Sequence, residues 1–256
     1  MTGAIEEEQE VSRILFELSN SRRLRILYKL GDHQLRMQQI AKALDMNMTE
    51  TFRHIERLSD TNLVEKKVDA TYALTPLGYL ATDFLSGFTF IHKNGDYFMH
   101  HDVTCLPLDF VHRIGELSGG QLDTDVLSNV NRLTRIIREA QEYRWGMVDL
   151  TLEFAVSELI PSALSRGVKF KIILPQNLAA QRPAGATAQN FEVGYLPNLD
   201  ATIALNEREA LICFHRIDGK VDFTGFFGTD KTFHKWVKDL FNCYFERTQT
   251  YTDSTS

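Results

Sequence analysis

The sequence of 256 residues contains no apolar run that approaches the roughly 18 residues a membrane-spanning helix requires. The first ten residues include four glutamates, and no apolar stretch of the kind found in secretory signals follows them. We therefore expect a cytoplasmic protein without a membrane partner. Cysteine is also scarce. Cys105, Cys213 and Cys243 are odd in number and far apart, which favours free thiols in a reducing compartment over a disulfide framework.

The chain has only a small excess of negative charge, and its charged residues are unevenly distributed along the sequence. The net charge is −6. Residues 11–80 carry 11 Lys and Arg against 8 Asp and Glu, whereas residues 81–256 carry 17 against 22. This difference permits a nucleic-acid partner for the first part only, although the excess is too small to establish binding by itself. The apolar content of 43% excludes disorder over the whole length.

The first 80 residues predict a bundle of short helices followed by a hairpin. Apolar spacing predicts helices around residues 14–18, 24–30, 38–44 and 49–60, with a short link at 45–48 and Thr49 as the N-cap of the last helix. Residues 63–67 and 71–74 predict two strands joined by a turn at Asp69-Ala70. Thr75 is expected to cap a further helix that begins at Pro76. This order is typical of a winged helix-turn-helix, so residues 1–80 are predicted to form a DNA-binding domain.

The helix predicted over residues 49–60 is expected to enter the major groove of DNA. Ile55 and Leu58 would then face the core, with the DNA-contacting residues on the outward arc. These are Thr49, Glu50, Arg53, His54 and Arg57, with Phe52 at the edge of the arc. Lys66 and Lys67 of the wing suit phosphate contacts. The alternatives are that Arg57 pairs with Glu50, Glu56 or Asp60, and that the module binds a protein instead of DNA.

Residues 81–256 predict a dimerisation helix and a second domain. The apolar stripe after Pro76 continues through Phe84, Phe88 and Ile91, so we interpret residues 81–100 as a linker that helps to pair two chains. In residues 101–256, strands at 145–150 and 168–174 flank a helix at 151–165, which predicts a partly parallel sheet. Further strands are predicted at 191–196, 201–205, 210–217 and 220–227, before a final helix at 230–247.

Ligands of such sheets bind beyond the carboxyl ends of the parallel strands. Asp149 and Thr151 follow one predicted strand and Gln176 follows the next, so these residues are candidates for binding a small ligand, together with Phe226. The alternative for Asp149 is a helix cap, and the alternative for Phe226 is a place in the core.

Several segments resemble, in the same order, a family of archaeal transcription regulators. Residues 49–64 read TETFRHIERLSDTNLV, residues 114–118 read IGELS, residues 166–175 read RGVKFKIILP, and residues 225–230 read GFFGTD; Phe233, Lys235, Trp236 and the DLF at 239–241 follow. The chain is similar, over nearly its whole length, to the regulators typified by the methanogenesis and filamentation regulator. The resemblance implies a winged helix-turn-helix, a C-terminal domain similar to the phospholipase D fold, and transcription regulation with a sensing C-terminal half.

Phospholipase D enzymes use a His-x-Lys motif, in which the histidine is the nucleophile and the lysine neutralises the phosphate. None of the eight histidines of this chain has a lysine two residues later. We therefore expect a catalytically inactive version of that fold. The adjacent His100, His101 and Asp102 do not predict a metal site, because neighbouring side chains diverge. No Walker or dinucleotide-binding motif is present, so we expect no catalytic residues, cofactor or metal.

Together these observations predict a sequence-specific, homodimeric transcriptional regulator that binds double-stranded DNA. Its C-terminal domain is expected to sense an unknown small-molecule effector or to mediate assembly. Two alternatives are a phospholipase D-like phosphodiesterase and a protein-interaction module built on a winged helix.

Overall fold

The computed structural model describes residues 2–148, 157–179, 185–220 and 222–248. The chain divides into two compact units, Met1–Ser86 and Gly87–Ser256. The helices are α1 Thr2–Leu18, α2 Ser21–Asp32, α3 Met37–Leu44, α4 Met48–Asp60, α5 Pro76–Lys93, α6 Gly95–Phe98, α7 Leu108–His112, α8 Val126–Glu139, α9 Ile160–Ser165 and α10 Lys231–Phe245. The strands are β1 Leu35–Arg36, β2 Val64–Lys66, β3 Thr71–Leu74, β4 Gln121–Asp123, β5 Tyr143–Met147, β6 Lys169–Pro175, β7 Phe191–Leu196, β8 Ala201–Asn206, β9 Ala210–Phe214 and β10 Gly225–Gly228. No described helix is both long and apolar enough to cross a bilayer.

The first unit is a winged helix-turn-helix, as the sequence predicts. Its apolar side chains from α2, α3 and α4 meet in one core, where Ile26, Ile40 and Leu58 are fully buried. The hairpin of β2 and β3 is joined by β1 in a three-stranded antiparallel sheet of order β1-β3-β2. The two-residue strand β1 was not predicted, because it is too short for its alternation to be recognised.

Helix α5 begins where the sequence places it. The Thr75 hydroxyl accepts a hydrogen bond from the Gly78 backbone N–H at 3.0 Å, and Pro76 occupies the first helical position. Residues 81–100, predicted as a linker and dimerisation helix, fall on the rest of α5 and on α6. The domain boundaries at 80 and 100 remain predictions.

Gly78 and Gly87 lie on the same helix but differ in what an added methyl group would meet. A β-carbon at Gly78 would overlap the backbone carbonyl of Leu63, whereas at Gly87 the nearest atom, the Gly115 Cα, is 3.8 Å away. We expect Gly78→Ala to lower the free energy of unfolding by about 1–3 kcal/mol through overpacking. Gly87→Ala should raise it by about 0.5–1 kcal/mol through helix propensity. Urea unfolding measures both, and a stabilising Gly78→Ala would contradict the close approach to Leu63.

The second unit is a mixed α/β domain around a seven-stranded sheet of order β4-β10-β9-β8-β5-β6-β7. The pairs β5–β6 and β6–β7 are parallel, and the other pairs are antiparallel. The prediction of a partly parallel sheet is therefore confirmed. Helix α10 packs on β9, β8 and β5, and its Trp236 and Phe241 are fully buried in that core. Helices α8 and α9 share one apolar cluster with the parallel strands β6 and β7, and α8 also packs in a second cluster with β8 and β9.

The structure corrects several predicted element boundaries. The strand predicted at 220–227 is limited to β10 at its end, because residues 216–220 form a turn in which the Arg216 N–H donates to the Lys220 carbonyl. Strand β9 ends at Phe214 rather than at residue 217. Strand β4 was not predicted, and it pairs with β10, more than 100 residues later in the chain. The predicted strand end at 149–150 and residues 151–156 of the helix predicted at 151–165 lie outside the described residues; the rest of that helix is a 3-10 turn at Ser157–Leu159 followed by α9.

Candidate nucleic-acid interface

The link between α3 and α4 sets the direction of the predicted recognition helix. Asp45 ends α3 in the left-handed conformation with φ of 52°, and the buried Met46 anchors the turn. The Asn47 side-chain oxygen accepts a hydrogen bond from the Glu50 backbone N–H at 2.8 Å, so Asn47 is the N-cap of α4. The prediction of Thr49 as the cap is wrong. Asn47, like Thr49, is of a residue type favoured at the N-terminus of helices, and it lies two positions earlier in the sequence.

Replacing Asn47 by alanine is expected to lower the free energy of unfolding by about 0.5–2 kcal/mol, because the first turn of α4 loses its acceptor. Thr49→Ala is the matched control and should leave that free energy nearly unchanged. Chemical unfolding of the two variants compares them directly. If Thr49→Ala costs as much as Asn47→Ala, the cap assignment is wrong.

One face of α4 is open to solvent. It is formed by Thr49, Phe52, Arg53 and Glu56, which recur at the three- and four-residue spacing of a helix face. Phe52 is 51% exposed, so it lies on this face rather than in the core. Arg53 makes no hydrogen bond or ion pair with any described residue. This outward face therefore offers an aromatic ring and an unpaired guanidinium at the centre of the helix.

Two residues predicted on the outward arc lie elsewhere. His54 is only 6% exposed, and its Nε2 lies 3.7 Å from the carboxylate of Glu50. Burial and the nearby cation of Arg23 lower the pKa of His54, so the ring is neutral near pH 7. Glu50 itself is half-buried and also faces Arg22 at 3.6 Å. Thr51 and Ile55, which directly follow Glu50 and His54 in the sequence, are core residues. The side chains of Glu50 and His54 therefore lie on the side of α4 that faces α2.

Arg57 is held by Glu17 of α1. The Arg57 Nη2 donates to Glu17 Oε1 at 2.7 Å, and its Nε donates to Oε2 at 3.1 Å. This hydrogen bonding raises the pKa of Arg57. Glu17 is none of the three acids considered from the sequence. Glu50, Glu56 and Asp60 lie on α4 itself, whereas Glu17 lies 40 residues before Arg57 in the chain.

Glu17 and Arg23 are functional candidates that the sequence did not reveal. Both are 5% exposed, and the Arg23 Nε lies 2.8 Å from Glu17 Oε2. One buried carboxylate therefore lies between the guanidiniums of Arg23 and Arg57. Burial lowers the pKa of Arg23, and the charge of Glu17 opposes this shift. Glu17 interrupts the apolar stripe of α1, which was the only local signal of its role.

The wing presents one of its two predicted lysines freely. Lys66 is exposed, whereas the Lys67 Nζ donates to Glu65 Oε1 at 2.6 Å. Val68 at the tip of the wing is fully exposed, and Ala70 closes the turn with φ of 64°. Lys66 is therefore the wing residue best placed for a phosphate contact.

Of the four candidate ligand residues, Gln176 and Phe226 are described, and they lie at strands that are separated by three others in the sheet. Phe226 is fully buried on β10, with its ring 5.2 Å from that of Phe90, so it is a core residue. Gln176 is exposed in a short 3-10 turn. A cavity of 500 Å³ lies beside the carboxyl end of β6, and its lining includes Asn177 but not Gln176. Asp149 and Thr151 lie outside the described residues.

Comparison with known proteins supports the assignment of the first unit. Residues 20–66 match the helix-turn-helix family model described as bacterial regulatory protein, arsR family. The matched residues run from the N-cap of α2 to the end of β2, so they include α4. The match therefore falls on the helix-turn-helix of the first unit. No curated protein matches the chain.

Three solved structures illustrate the range of similar folds. TrmBL2, an archaeal chromatin protein whose structure shows a novel mode of DNA binding, is 15% identical with a TM-score of 0.44, and the alignment covers 94% of this chain and 100% of that chain. The homodimeric winged helix-turn-helix domain of Mb0332 from Mycobacterium bovis, a possible ArsR-family regulator, is 23% identical with a TM-score of 0.33, covering 36% and 89%. The dimethyltransferase RosA from Streptomyces davawensis is 10% identical with a TM-score of 0.30, covering 76% and 66%.

Proposed function

We propose that this protein is a sequence-specific, homodimeric transcriptional regulator that binds double-stranded DNA through α4 and the wing. The observation that carries the proposal is the outward face of α4, on which Arg53 is exposed and unpaired. A helix of this kind reads base edges in the major groove, and an unpaired guanidinium there contacts guanine or phosphate. Lys66 adds a phosphate contact from the wing.

The proposal is tested by the affinity of the full chain for duplex DNA from upstream of its own gene and for a scrambled duplex. Fluorescence anisotropy at two salt concentrations separates specific from electrostatic binding, because phosphate contacts make the affinity fall steeply with salt. We expect tighter binding to the upstream DNA and a steep salt dependence for both duplexes. Weak binding that barely responds to salt would favour the protein-interaction module instead.

Helix α5 supports the homodimer. It exposes a line of large apolar side chains, of which Phe84 is 72% and Phe88 is 70% exposed. Leu77, Leu80 and Ile91 extend the same stripe. A contiguous apolar stripe of this size on a helix marks an interaction surface. We assign it to a second copy of the chain, because helix-turn-helix proteins that read two half-sites present two recognition helices about 34–36 Å apart.

Phe84→Glu is expected to convert the dimer to a monomer, because it places a charge in the centre of the apolar stripe. Ser86→Glu is the matched control: it adds the same charge to the same helix at an exposed position on the opposite side. Sedimentation equilibrium measures the mass of both variants. A wild-type monomer at micromolar concentration, or a Phe84→Glu variant that remains dimeric, would contradict the proposed role of α5.

For the second unit we propose a sensing or assembly role on a fold related to phospholipase D, without phosphodiesterase activity. The mixed seven-stranded sheet and the sequence resemblance support this proposal, as does the lack of any His-x-Lys in the chain. Hydrolysis of single-stranded and duplex DNA, assayed with and without divalent cations, tests it. Cleavage that co-purifies with the protein and persists after a second chromatography step would favour the phosphodiesterase alternative.

A further inference from the structure

A cavity in the first unit lies between the end of α1, the start of α2 and the middle of α4. Its volume is 610 Å³, and its lining includes Phe16, Arg23, Arg53, His54 and Arg57. This volume is within the range of small-ligand sites, which is about 300–1,000 Å³. Arg23 and His54 form its deep part, since both are more than nine-tenths buried, and Arg53 lies at its rim on the exposed face of α4.

The charge of this cavity is not balanced. Three guanidiniums line it, and Glu17 is the only carboxylate paired with any of them in the described residues. The cation of Arg23 and, to a smaller extent, that of Arg53 help to lower the pKa of His54, and Arg57 helps to lower the pKa of Arg23. The groups therefore repel further positive charge and attract an anion.

Hydrogen-bond donors in the cavity outnumber the acceptors. Arg23 donates through Nε and Nη2, and Arg57 donates through Nε and Nη2, so the Nη1 of each arginine has no acceptor among the described residues. Arg53 has none for its whole guanidinium. A group with several acceptor oxygens and a charge of about −2 would complement these donors.

We propose that this cavity binds the phosphate group of a small phosphate monoester. Phosphate combines the acceptor number and the charge that the arginines require, and guanidinium is the side chain best suited to it. Phe16 is 60% exposed beside the cavity, with the Arg57 guanidinium carbon 5.4 Å from the ring centre, and it offers an apolar wall to a planar substituent on the ester. A phosphate of the DNA backbone shares this chemistry, but it would reach the rim at Arg53 rather than the buried Arg23 and His54.

The consequence for regulation rests on the proposed function. Arg53 belongs both to the cavity and to the face of α4 that is proposed to contact DNA. A phosphate ester that engages Arg53 therefore competes with DNA for the same guanidinium. Because binding free energies are reciprocal, the ester should weaken DNA binding by the same factor by which DNA weakens binding of the ester.

The test is isothermal titration of the full chain with phenyl phosphate, at constant ionic strength and without DNA. Its outcome is therefore independent of whether the protein binds DNA. We expect saturable binding that is about tenfold weaker in Arg53→Ala, which loses charge-assisted hydrogen bonds at the rim. Glu17→Gln should bind phenyl phosphate more tightly than the wild type, because the carboxylate that competes for Arg23 and Arg57 is removed. Arg25→Ala removes an exposed arginine of α2 outside the cavity and should bind as the wild type does.

Two results would overturn the proposal. One is a lack of saturable binding by the free protein. If Glu17→Gln and Arg53→Ala nevertheless changed the affinity for DNA, a backbone phosphate would be the occupant of the rim. The other is binding of phenyl phosphate with equal affinity by all variants, which would place the site elsewhere. The Arg53 side chain is exposed and unpaired, so Arg53→Ala is expected to fold, and the test does not depend on the stability of Glu17→Gln.

Discussion

Replacing Arg53 by alanine is expected to weaken binding to specific duplex DNA by about 1–3 kcal/mol, which is a loss of roughly 5- to 150-fold in affinity. The reason is that Arg53 is the unpaired guanidinium on the outward face of α4, between Phe52 and Glu56. Because it lies in the middle of the helix, we expect a base contact, so the loss should be larger on the specific duplex than on a scrambled one. Anisotropy titrations with both duplexes measure the two losses.

Arg57 is the informative comparison for Arg53. A sequence reading assigns the two arginines the same role, since they lie one turn apart on one helix. In the structure Arg57 is held by both oxygens of Glu17, so its removal should mainly alter the packing of α1 on α4. We therefore expect Arg57→Ala to reduce affinity less than Arg53→Ala, and Arg25→Ala to leave affinity unchanged. Equal losses in Arg53→Ala and Arg57→Ala would show that Arg57 leaves Glu17 when DNA binds.

Much of the first unit follows from local patterns. The stripe of Ile55 and Leu58 places α4, and the turn at Asp69-Ala70 between two short apolar segments places the second strand of the wing, because both signals are properties of neighbouring residues. The position of Arg53 and of Thr49 on the outward face follows from the same period. The burial of His54 does not, since it depends on how closely α2 approaches that side of α4.

The features that sequence reasoning missed join residues distant in the chain. Glu17 meets Arg57 across 40 positions, and β4 meets β10 across about 100. Nothing in the local composition of either partner specifies the other. The candidate ligand residue Phe226 shows the same limit of local patterns. It lies on a strand, as the sequence predicts, but its burial against Phe90 of α5 is set by packing within the second unit.

Replacing Trp236 by alanine is expected to lower the free energy of unfolding by about 3–5 kcal/mol, because it removes a fully buried aromatic side chain from the core of the second unit. Trp236 is fully buried on α10 and meets the ring of Phe110 edge to face, with 5.4 Å between ring centres. Its indole N–H makes no hydrogen bond with any described residue. Since domains are stable by only about 5–15 kcal/mol, a loss of this size would leave the second unit marginal.

The unpaired indole N–H makes Trp236→Phe the decisive control. Phenylalanine keeps most of the apolar volume and removes a buried donor that lacks an acceptor, so its cost should be less than half that of alanine. Lys231→Ala, in the exposed first turn of the same helix, should change the free energy of unfolding by less than about 0.5 kcal/mol. Urea unfolding followed by circular dichroism compares Trp236→Ala, Trp236→Phe and Lys231→Ala. If Trp236→Phe costs as much as Trp236→Ala, the indole N–H has a partner and the cavity left by alanine is not the main cost.

The cores of the two units share no residues, so we expect Trp236→Ala to leave the α4 face intact below its unfolding transition.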